Sequence, residues 1–239
     1  MKNLISIIFL FSICLLLPAG CKVNNIATAQ NLHTTHLKDA NDKKTRFFDF
    51  KRPIINEENN RVLLLTESLL ASKKNNSRKA IVRRTAEDYG LQWDTSNENW
   101  DKLLQHVDAV ALELALAQSA NESDWGQSRF AQQGNNFFGQ WCYQEGCGMV
   151  PENRDHGTYH EVARFKNVNS SVRSYIKNIN SGPAYETLRD VRKKNRAAGK
   201  KPDAEAQAGG LVKYSQRGER YVKEIRSMIR VNRKLMLDN

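Results

Sequence analysis

A carboxylic acid and a group of aromatic side chains lie close together in the middle of this sequence. Glu122 ends an apolar stretch, and the aromatic residues that follow it are Trp125, Phe137, Phe138 and Trp141. A carboxyl group that aromatic rings shield from water keeps its proton to higher pH, so it can protonate a leaving sugar oxygen. Aromatic rings also offer flat surfaces to sugars. The alternative, an exposed glutamate at a helix end beside a hydrophobic patch, stays open at this point.

The elements that position Glu122 are predicted to be helices. Residues 99–122 read as one helix that is apolar on most sides after Val107, and such a helix belongs in the middle of a domain. Residues 134–168 are rich in Gly, Asn and aromatics and predict a loop followed by a small hairpin, with a β-prone run over 158–165. The other predicted helices are 60–74, 77–90, 127–132, 170–180, 183–195, 203–213 and 217–233.

The residues around Glu122 also form a recognisable motif. The chain reads E-S-x-W-G-x-S over 122–128 and G-N-N-x-F-G over 134–139. This pattern resembles the signature of the bacterial glucosaminidase family, which includes flagellar and autolytic cell-wall hydrolases. The resemblance extends over residues 100–233, and the segments 140–148 and 213–218 resemble the Bax-like branch of the family.

The resemblance implies a fold and an activity. We expect a mainly α (α+β) fold, a lysozyme-like helical domain with a small β-hairpin lobe. The activity it implies is that of an endo-β-N-acetylglucosaminidase, which cuts peptidoglycan between N-acetylglucosamine and N-acetylmuramic acid. Glu122 would be the general acid, and the reaction would need no cofactor and no metal.

A second carboxylate is common in glycoside hydrolysis. The candidates in the predicted β-lobe are Glu145, Glu152, Asp155 and Glu161. Glu161 best fits the place of a second glutamate that the family has on this lobe. It would alternatively pair with Arg164 or Lys166 on a hairpin face. The N-acetyl group of the substrate would replace a second carboxylate in members that use only one.

Other site residues follow from the same resemblance. Tyr185 matches a tyrosine in the family's cleft, where it would stabilise the developing positive charge or hold the N-acetyl group; the alternative is a buried aromatic at a helix start. The expected substrate-binding residues are Trp125, Asn136, Phe138 and Trp141. Asn136 would also fix its loop through hydrogen bonds to the backbone.

Three further positions call for an interpretation. Asp124 stands where the family more often has Gly or Ala. It would either repel the charge of Glu122 or cap the next helix, and we favour the cap because residues two apart on a helix do not face each other. Tyr214 and Tyr221 are interpreted as packing residues with polar tips.

Two of the four cysteines are close together in the sequence WCYQEGCG. In an exported protein Cys142 and Cys147 would form a disulfide that closes a small loop. The alternative is a zinc site with His156 and His160, but their spacing from the cysteines matches no common zinc pattern.

The amino terminus predicts export. Residues 4–17 are almost entirely apolar and follow Met-Lys-Asn, as in a secretory signal peptide. Small residues then lead to Cys21, which resembles the lipid-modified cysteine of bacterial lipoproteins. Pro18 departs from that pattern and leaves ordinary cleavage possible, whereas Lys22 after the cysteine favours the outer membrane.

These features predict the domains and the location of the protein. We expect a lipoprotein signal peptide over 1–20, a flexible tether over 21–58 and the catalytic domain over 59–239. The protein would lie on the periplasmic face of the outer membrane, or otherwise be periplasmic or secreted.

The partners follow from charge and export together. The formal net charge is +11, which in a cytoplasmic protein would suggest nucleic acid, but export makes nucleic acid an unlikely partner. Lipid head groups, lipopolysaccharide and the peptide carboxylates of the wall are anionic partners outside the inner membrane; a merely soluble basic surface is the alternative. We expect a monomer that binds peptidoglycan and is held at the membrane by its lipid.

Two other functions stay open. A muramidase or lytic transglycosylase would use one glutamate on the same lysozyme-like scaffold. A non-catalytic wall-binding lipoprotein is the alternative from a different class, although binding alone does not need a buried acid.

Overall fold

The computed structural model describes residues 27–32, 39–94, 96, 98–152, 157 and 159–237. The predicted signal peptide with Pro18, the lipidation candidate Cys21, and both Asp155 and His156 lie outside the described residues. Among the helices that are described, none is both long enough and apolar enough to cross a membrane.

Helices make up most of the described chain. They are α1 (Ala40–Lys74), α2 (Lys79–Asp88), α3 (Trp100–His106), α4 (Leu112–Ser123), α5 (Arg129–Gly134), α6 (Val168–Ser181), α7 (Glu186–Ala197), α8 (Ala204–Ala208) and α9 (Glu219–Leu237). Short 3₁₀ helices span Ala29–Leu32, Pro183–Tyr185 and Gly209–Leu211.

One small sheet lies between α5 and α6. Its strands are β1 (Trp141–Cys142), β2 (Gly148–Met149) and β3 (Glu161–Ala163). The order is β1-β3-β2 and both pairs are antiparallel, so that Val162 of the central strand lies opposite Trp141 on one side and Met149 on the other. The predicted mainly α, lysozyme-like domain with a small β-lobe is confirmed.

Helix α4 occupies the middle of the domain and packs against α1, α8 and α9. Its residues from Leu114 to Ala120 are all buried, including the polar Gln118 and Ser119. The alanines at 115, 117 and 120 allow neighbouring helices to approach closely. A helix that is enclosed on all sides fixes the position of its last turn, which carries Glu122.

The predicted single helix over 99–122 is wrong. The chain leaves helical geometry at 107–111, between α3 and α4. The guanidinium of Arg192 on α7 donates to the carbonyls of Gln105 (2.8 Å) and Ala109 (3.1 Å) at this break. Asp108 forms ion pairs with Arg192 and Arg196. Because these partners come from α7, a local sequence pattern does not reveal the break.

The predicted tether is wrong over residues 40–58, which form the first part of α1. Asp39 caps this helix by accepting hydrogen bonds from the N–H groups of Asn41 and Asp42. Phe47 and Phe48 are fully buried in the main core. Most residues of this segment are polar, so the sequence pattern did not indicate a helix. The burial of a few large apolar side chains stabilises it.

Candidate active site

A cleft of about 930 Å³ runs across the domain next to the end of α4. The loop after α5 and strand β1 form one side, and α6 and the segment before α9 form the others. Its lining residues are Glu122, Phe138, Gly139, Gln140, Trp141, Tyr143, Ser174, Lys177, Asn178, Ser181, Tyr185, Lys213, Tyr214, Ser215, Gln216 and Arg217. The cleft is large enough for a ligand of several sugar rings.

The chain turns sharply just after Glu122. Asp124, Trp125 and Gly126 all have left-handed backbone conformations, with φ of 48°, 56° and 81°. A Cβ on Gly126 would lie 2.2 Å from Leu32 Cδ2, so only glycine fits there. The preference for Asp124 as a cap of the next helix is wrong, since Asp124 ends α4 and Ser128 caps α5.

The Glu122 carboxyl group has neighbours from two helices. Its Oε1 accepts a hydrogen bond of 3.0 Å from the side chain of Asn121. The Tyr221 hydroxyl of α9 lies near this carboxyl group, whose negative charge acts on it. On the other side, the backbone of Gly139 lies so close that a Cβ there would be 3.7 Å from Glu122 Oε2. The acid therefore lies between α9 and the loop after α5.

A buried chain of hydrogen bonds leads to Glu122. The Tyr175 hydroxyl donates to Gln118 Oε1 (2.7 Å), and Gln118 Nε2 donates to the Tyr221 hydroxyl oxygen (2.9 Å). Because the oxygen of Tyr221 already accepts from Gln118, its own proton is free to be donated to the nearby Glu122. Burial, together with the negative charge of Glu122, raises the pKa of Tyr221. Tyr221 thus remains a donor at any physiological pH.

Tyr214 belongs to the same cluster. Its ring is stacked on that of Tyr221, with 5.5 Å between centroids, and its hydroxyl donates to the Phe138 carbonyl at 2.9 Å. Burial raises the pKa of Tyr214 well above its usual value, and Glu122 adds to the effect. The interpretation of Tyr214 and Tyr221 as packing residues missed these contacts; the Bax-like segment 213–218 was the signal in the sequence that pointed to this region.

Asn136 holds the loop after α5 together. Its Nδ2 donates to the carbonyls of Gln140 and Ala163, both at 2.9 Å, and its Oδ1 accepts from the N–H groups of Phe138 and Gln140. The side chain is buried and is not among the residues that line the cleft. Asn136 therefore shapes the loop that carries Phe138 and Gly139.

The structure separates the predicted aromatic residues into two groups. Phe138 and Trp141 line the cleft, Phe138 stacked on Tyr175 and Trp141 on His160, each with 4.0 Å between ring centroids. Trp141 is 54% exposed, which leaves one face open to a ligand. Trp125 instead packs edge-on against Phe47 and Phe48 of α1 and does not line the cleft.

Tyr185 lies in the cleft at the end of the 3₁₀ helix before α7. Its hydroxyl lies near the side chain of Asn178, another cleft residue, and burial raises its pKa. The ring centroid is 6.0 Å from that of Tyr214. Tyr185 is thus a neutral donor that faces the same space as Glu122.

The predicted disulfide between Cys142 and Cys147 is confirmed. Glu161 lies beside it on β3, where its carboxylate accepts from the N–H groups of Gly146 (3.0 Å) and Gly148 (2.7 Å). Glu161 is buried and is not among the cleft-lining residues. The structure thus places Glu161 behind the disulfide loop and Glu122 in the cleft.

The sequence of this region is similar to that of known proteins. The sequence profile described as mannosyl-glycoprotein endo-beta-N-acetylglucosaminidase matches residues 97–234. Protein bax of Escherichia coli (strain K12) is 30% identical over 162 residues, which are 67% of this chain and 57% of that protein. The chain therefore spans little more than half the length of this relative. No protein of known structure matches the chain significantly. The family match covers more than half of the chain, including the cleft and Glu122, and the chain belongs to the glucosaminidase family.

Proposed function

We propose that this protein is an endo-β-N-acetylglucosaminidase that cuts peptidoglycan strands after N-acetylglucosamine. Its family supports hydrolysis of glycans of the peptidoglycan type. The observation that carries the proposal is the placement of Glu122 in a cleft of about 930 Å³ lined by Trp141 and Phe138. Such a cleft suits a chain of sugar rings, and its acid suits protonation of a glycosidic oxygen.

Glu122 would act as general acid in the first step. It donates its proton to the bridging oxygen while the bond between that oxygen and the anomeric carbon breaks. Tyr221, which lies near the carboxyl group, would orient it during this step. In the second step the Glu122 carboxylate accepts a proton from the attacking water, which restores the acid.

The second group of the reaction would come from the substrate. Within the described part of the chain, Glu122 is the acidic side chain that lines the cleft, and Glu161 is engaged by the disulfide loop. The carbonyl oxygen of the substrate's N-acetyl group would bond to the anomeric carbon as the leaving oxygen departs, and water would then displace it. Tyr185, which lines the same cleft, would hold that N-acetyl group. This mechanism retains the configuration of the anomeric carbon.

Mass spectrometry of purified peptidoglycan digested by the full-length mature protein tests the proposal. We expect fragments that end in reducing N-acetylglucosamine. Fragments that end in anhydro-muramic acid would instead make the protein a lytic transglycosylase, and those with reducing muramic acid a muramidase. If binding occurs without any cleavage, the protein is a wall-binding module.

We also propose that the mature protein is anchored in the outer membrane through a lipid on Cys21. The support for this anchor is the apolar run at 4–17 and the small residues before the cysteine. An anchored hydrolase of this kind would reach the wall from the periplasmic face of that membrane.

A further inference from the structure

A second cavity, of about 570 Å³, lies between α1 and α6. We call it the side groove. Its lining residues are Glu58, Arg61, Val62, Leu65, Tyr89, Phe165, Ser170, Arg173, Ser174, Ile176 and Lys177. Aliphatic and aromatic side chains form much of its floor, and charged side chains stand at its edges. This combination suits a ligand with both alkyl groups and ionic groups.

The side groove adjoins the cleft. Ser174 and Lys177 of α6 line both cavities. These two residues are three apart on α6 and so lie on the same face of the helix. This face forms the boundary between the side groove and the space in front of Glu122. A branch on a sugar bound in the cleft would therefore enter the side groove across Ser174 and Lys177.

The charge of the side groove is positive on balance. Arg173 is bound in two places to the buried Glu58, at 2.8 and 2.9 Å, so these two charges offset each other. Arg61 pairs with Glu57 at 2.9 Å and lies 3.6 Å from Glu58, so among the described lining residues Lys177 is the cation that stands outside an ion pair. A carboxylate that approaches the side groove is attracted chiefly by Lys177.

Lys177 stands at the junction of the two cavities. Its ammonium nitrogen lies 4.0 Å from the centre of the Tyr89 ring. Asp88 exerts an electrostatic influence on it, but within the described ranges no carboxylate lies within salt-bridge distance of this nitrogen. Its charge is thus available to a ligand that passes from the cleft into the side groove.

We propose that the side groove binds the stem peptide of the muramic acid residue next to the bond that is cut. This inference rests on the proposed function, because it assumes a peptidoglycan strand in the cleft. Muramic acid carries a short peptide branch with alkyl side chains and free carboxylates, and these match the apolar floor and the cations at its edges. The enzyme would therefore distinguish strands that carry peptides from bare glycan.

The test compares two substrates. One is intact peptidoglycan, and the other is the same glycan after an amidase has removed its peptides. We expect the full-length mature protein to cleave the intact strands with a kcat/KM roughly tenfold higher, the effect of about one favourable charge contact. Equal rates on the two substrates would overturn the inference. If neither is cleaved, the proposed function fails instead.

A matched set of variants tests whether the side groove causes the preference for intact strands. Leu65 lines the side groove, whereas its neighbour Leu64 is exposed outside it. Leu65→Glu adds a repelling carboxylate and should reduce the preference for intact strands about tenfold, with the rate on bare glycan unchanged. Leu65→Lys should keep the preference, and Leu64→Glu, with the same charge outside the groove, should keep it too. Equal losses from Leu64→Glu and Leu65→Glu would refute the location.

A second variant covers the case in which Leu65→Glu does not fold, since Leu65 also packs against buried residues of α1 and α2. Arg61 is exposed at the edge of the side groove, and Arg61→Gln removes its charge without placing a further carboxylate beside Glu57 and Glu58, so this variant should reduce the same preference. Titration of Glu122→Gln protein with a synthetic stem peptide, followed by NMR, gives a readout without catalysis. Chemical-shift changes confined to residues of the side groove support the inference. The inference is contradicted if no chemical shifts change there, or if an unrelated apolar peptide binds equally well.

Discussion

Tyr221 and Glu122 are far apart in sequence, yet the hydroxyl of Tyr221 lies close enough to the Glu122 carboxyl group to be affected by its negative charge. This proximity brings α9 to the last turn of α4 at the edge of the cleft. Gln118, one turn before Glu122, donates to the Tyr221 hydroxyl oxygen at 2.9 Å. Because that oxygen accepts from an amide, the proton of Tyr221 is free to be donated to the nearby acid and to orient it.

Tyr221→Phe should reduce kcat about tenfold, the effect of one lost hydrogen bond. Tyr175→Phe is the matched control. This variant removes the hydrogen bond from Tyr175 to Gln118 and leaves the Tyr221 hydroxyl beside Glu122. Steady-state kinetics and melting temperatures of the two variants measure this, and equal losses of kcat in both would show a merely structural role for Tyr221.

Glu122→Gln should keep the fold and lose activity by roughly 100- to 10,000-fold, because an amide cannot protonate the leaving oxygen. Glu113→Gln, in the first turn of the same helix, is the control and should be fully active. Melting temperatures must be measured beside the rates, since an unstable variant imitates a catalytic one. A well-folded Glu122→Gln protein with more than about a tenth of the activity would contradict the role of the acid.

Local sequence patterns predicted the part of the site that local structure builds. The apolar run up to Glu122 forms the buried helix α4, and the two cysteines of one short segment form a disulfide. In both cases neighbours in the chain are neighbours in space. The spacing of the family-like motif over 122–139 reflects a turn that requires glycine at 126.

The contacts that the sequence patterns did not predict depend on tertiary packing. Tyr221 reaches Glu122 only because α9 packs against α4. Phe47 and Phe48 are buried only because α1 lies against the same core, although the residues around them are mostly polar. Trp125 and Glu161 do not line the cleft, because sequence spacing does not determine which way a side chain points.

Lys51→Met should raise the melting temperature. Lys51 is fully buried over the Phe137 ring, and its ammonium nitrogen has no hydrogen-bond partner among the described residues. Burial lowers its pKa well below the usual value. Below the folded-state pKa the wild type bears the full cost of a buried charge, and this cost disappears as pH rises toward the unfolded-state pKa of about 10.4.

The advantage of Lys51→Met should therefore shrink as pH rises from neutrality toward about 10. Thermal unfolding of both proteins over this range measures it. Lys74→Met is the control, because Lys74 is exposed at the end of the same helix. An advantage that stays constant with pH, or is shared by Lys74→Met, would mean that the charge of Lys51 is not the cause.

Lipid anchoring through Cys21 predicts incorporation of radiolabelled fatty acid into the wild-type chain and not into a Cys21→Ser form. The thiol is the acceptor of the lipid, and a serine hydroxyl does not replace it. Gel electrophoresis and autoradiography of cells that express each form measure this. Equal labelling of both forms refutes the proposal, and labelling of neither points to Pro18 as an obstacle.

Glu161→Gln distinguishes a catalytic carboxylate from one that positions the disulfide loop. Glu161 accepts from two backbone N–H groups, and an amide nitrogen cannot accept, so the variant loses one of these bonds. A hydrogen bond to a charged group contributes about 1.5–3 kcal/mol. We expect a lower melting temperature, faster proteolysis within 143–148, and a higher KM because Trp141 is displaced. Glu145→Gln, on the exposed part of the same loop, should change none of these. A fall in kcat of more than about 100-fold, with an unchanged melting temperature, would instead make Glu161 the second catalytic group.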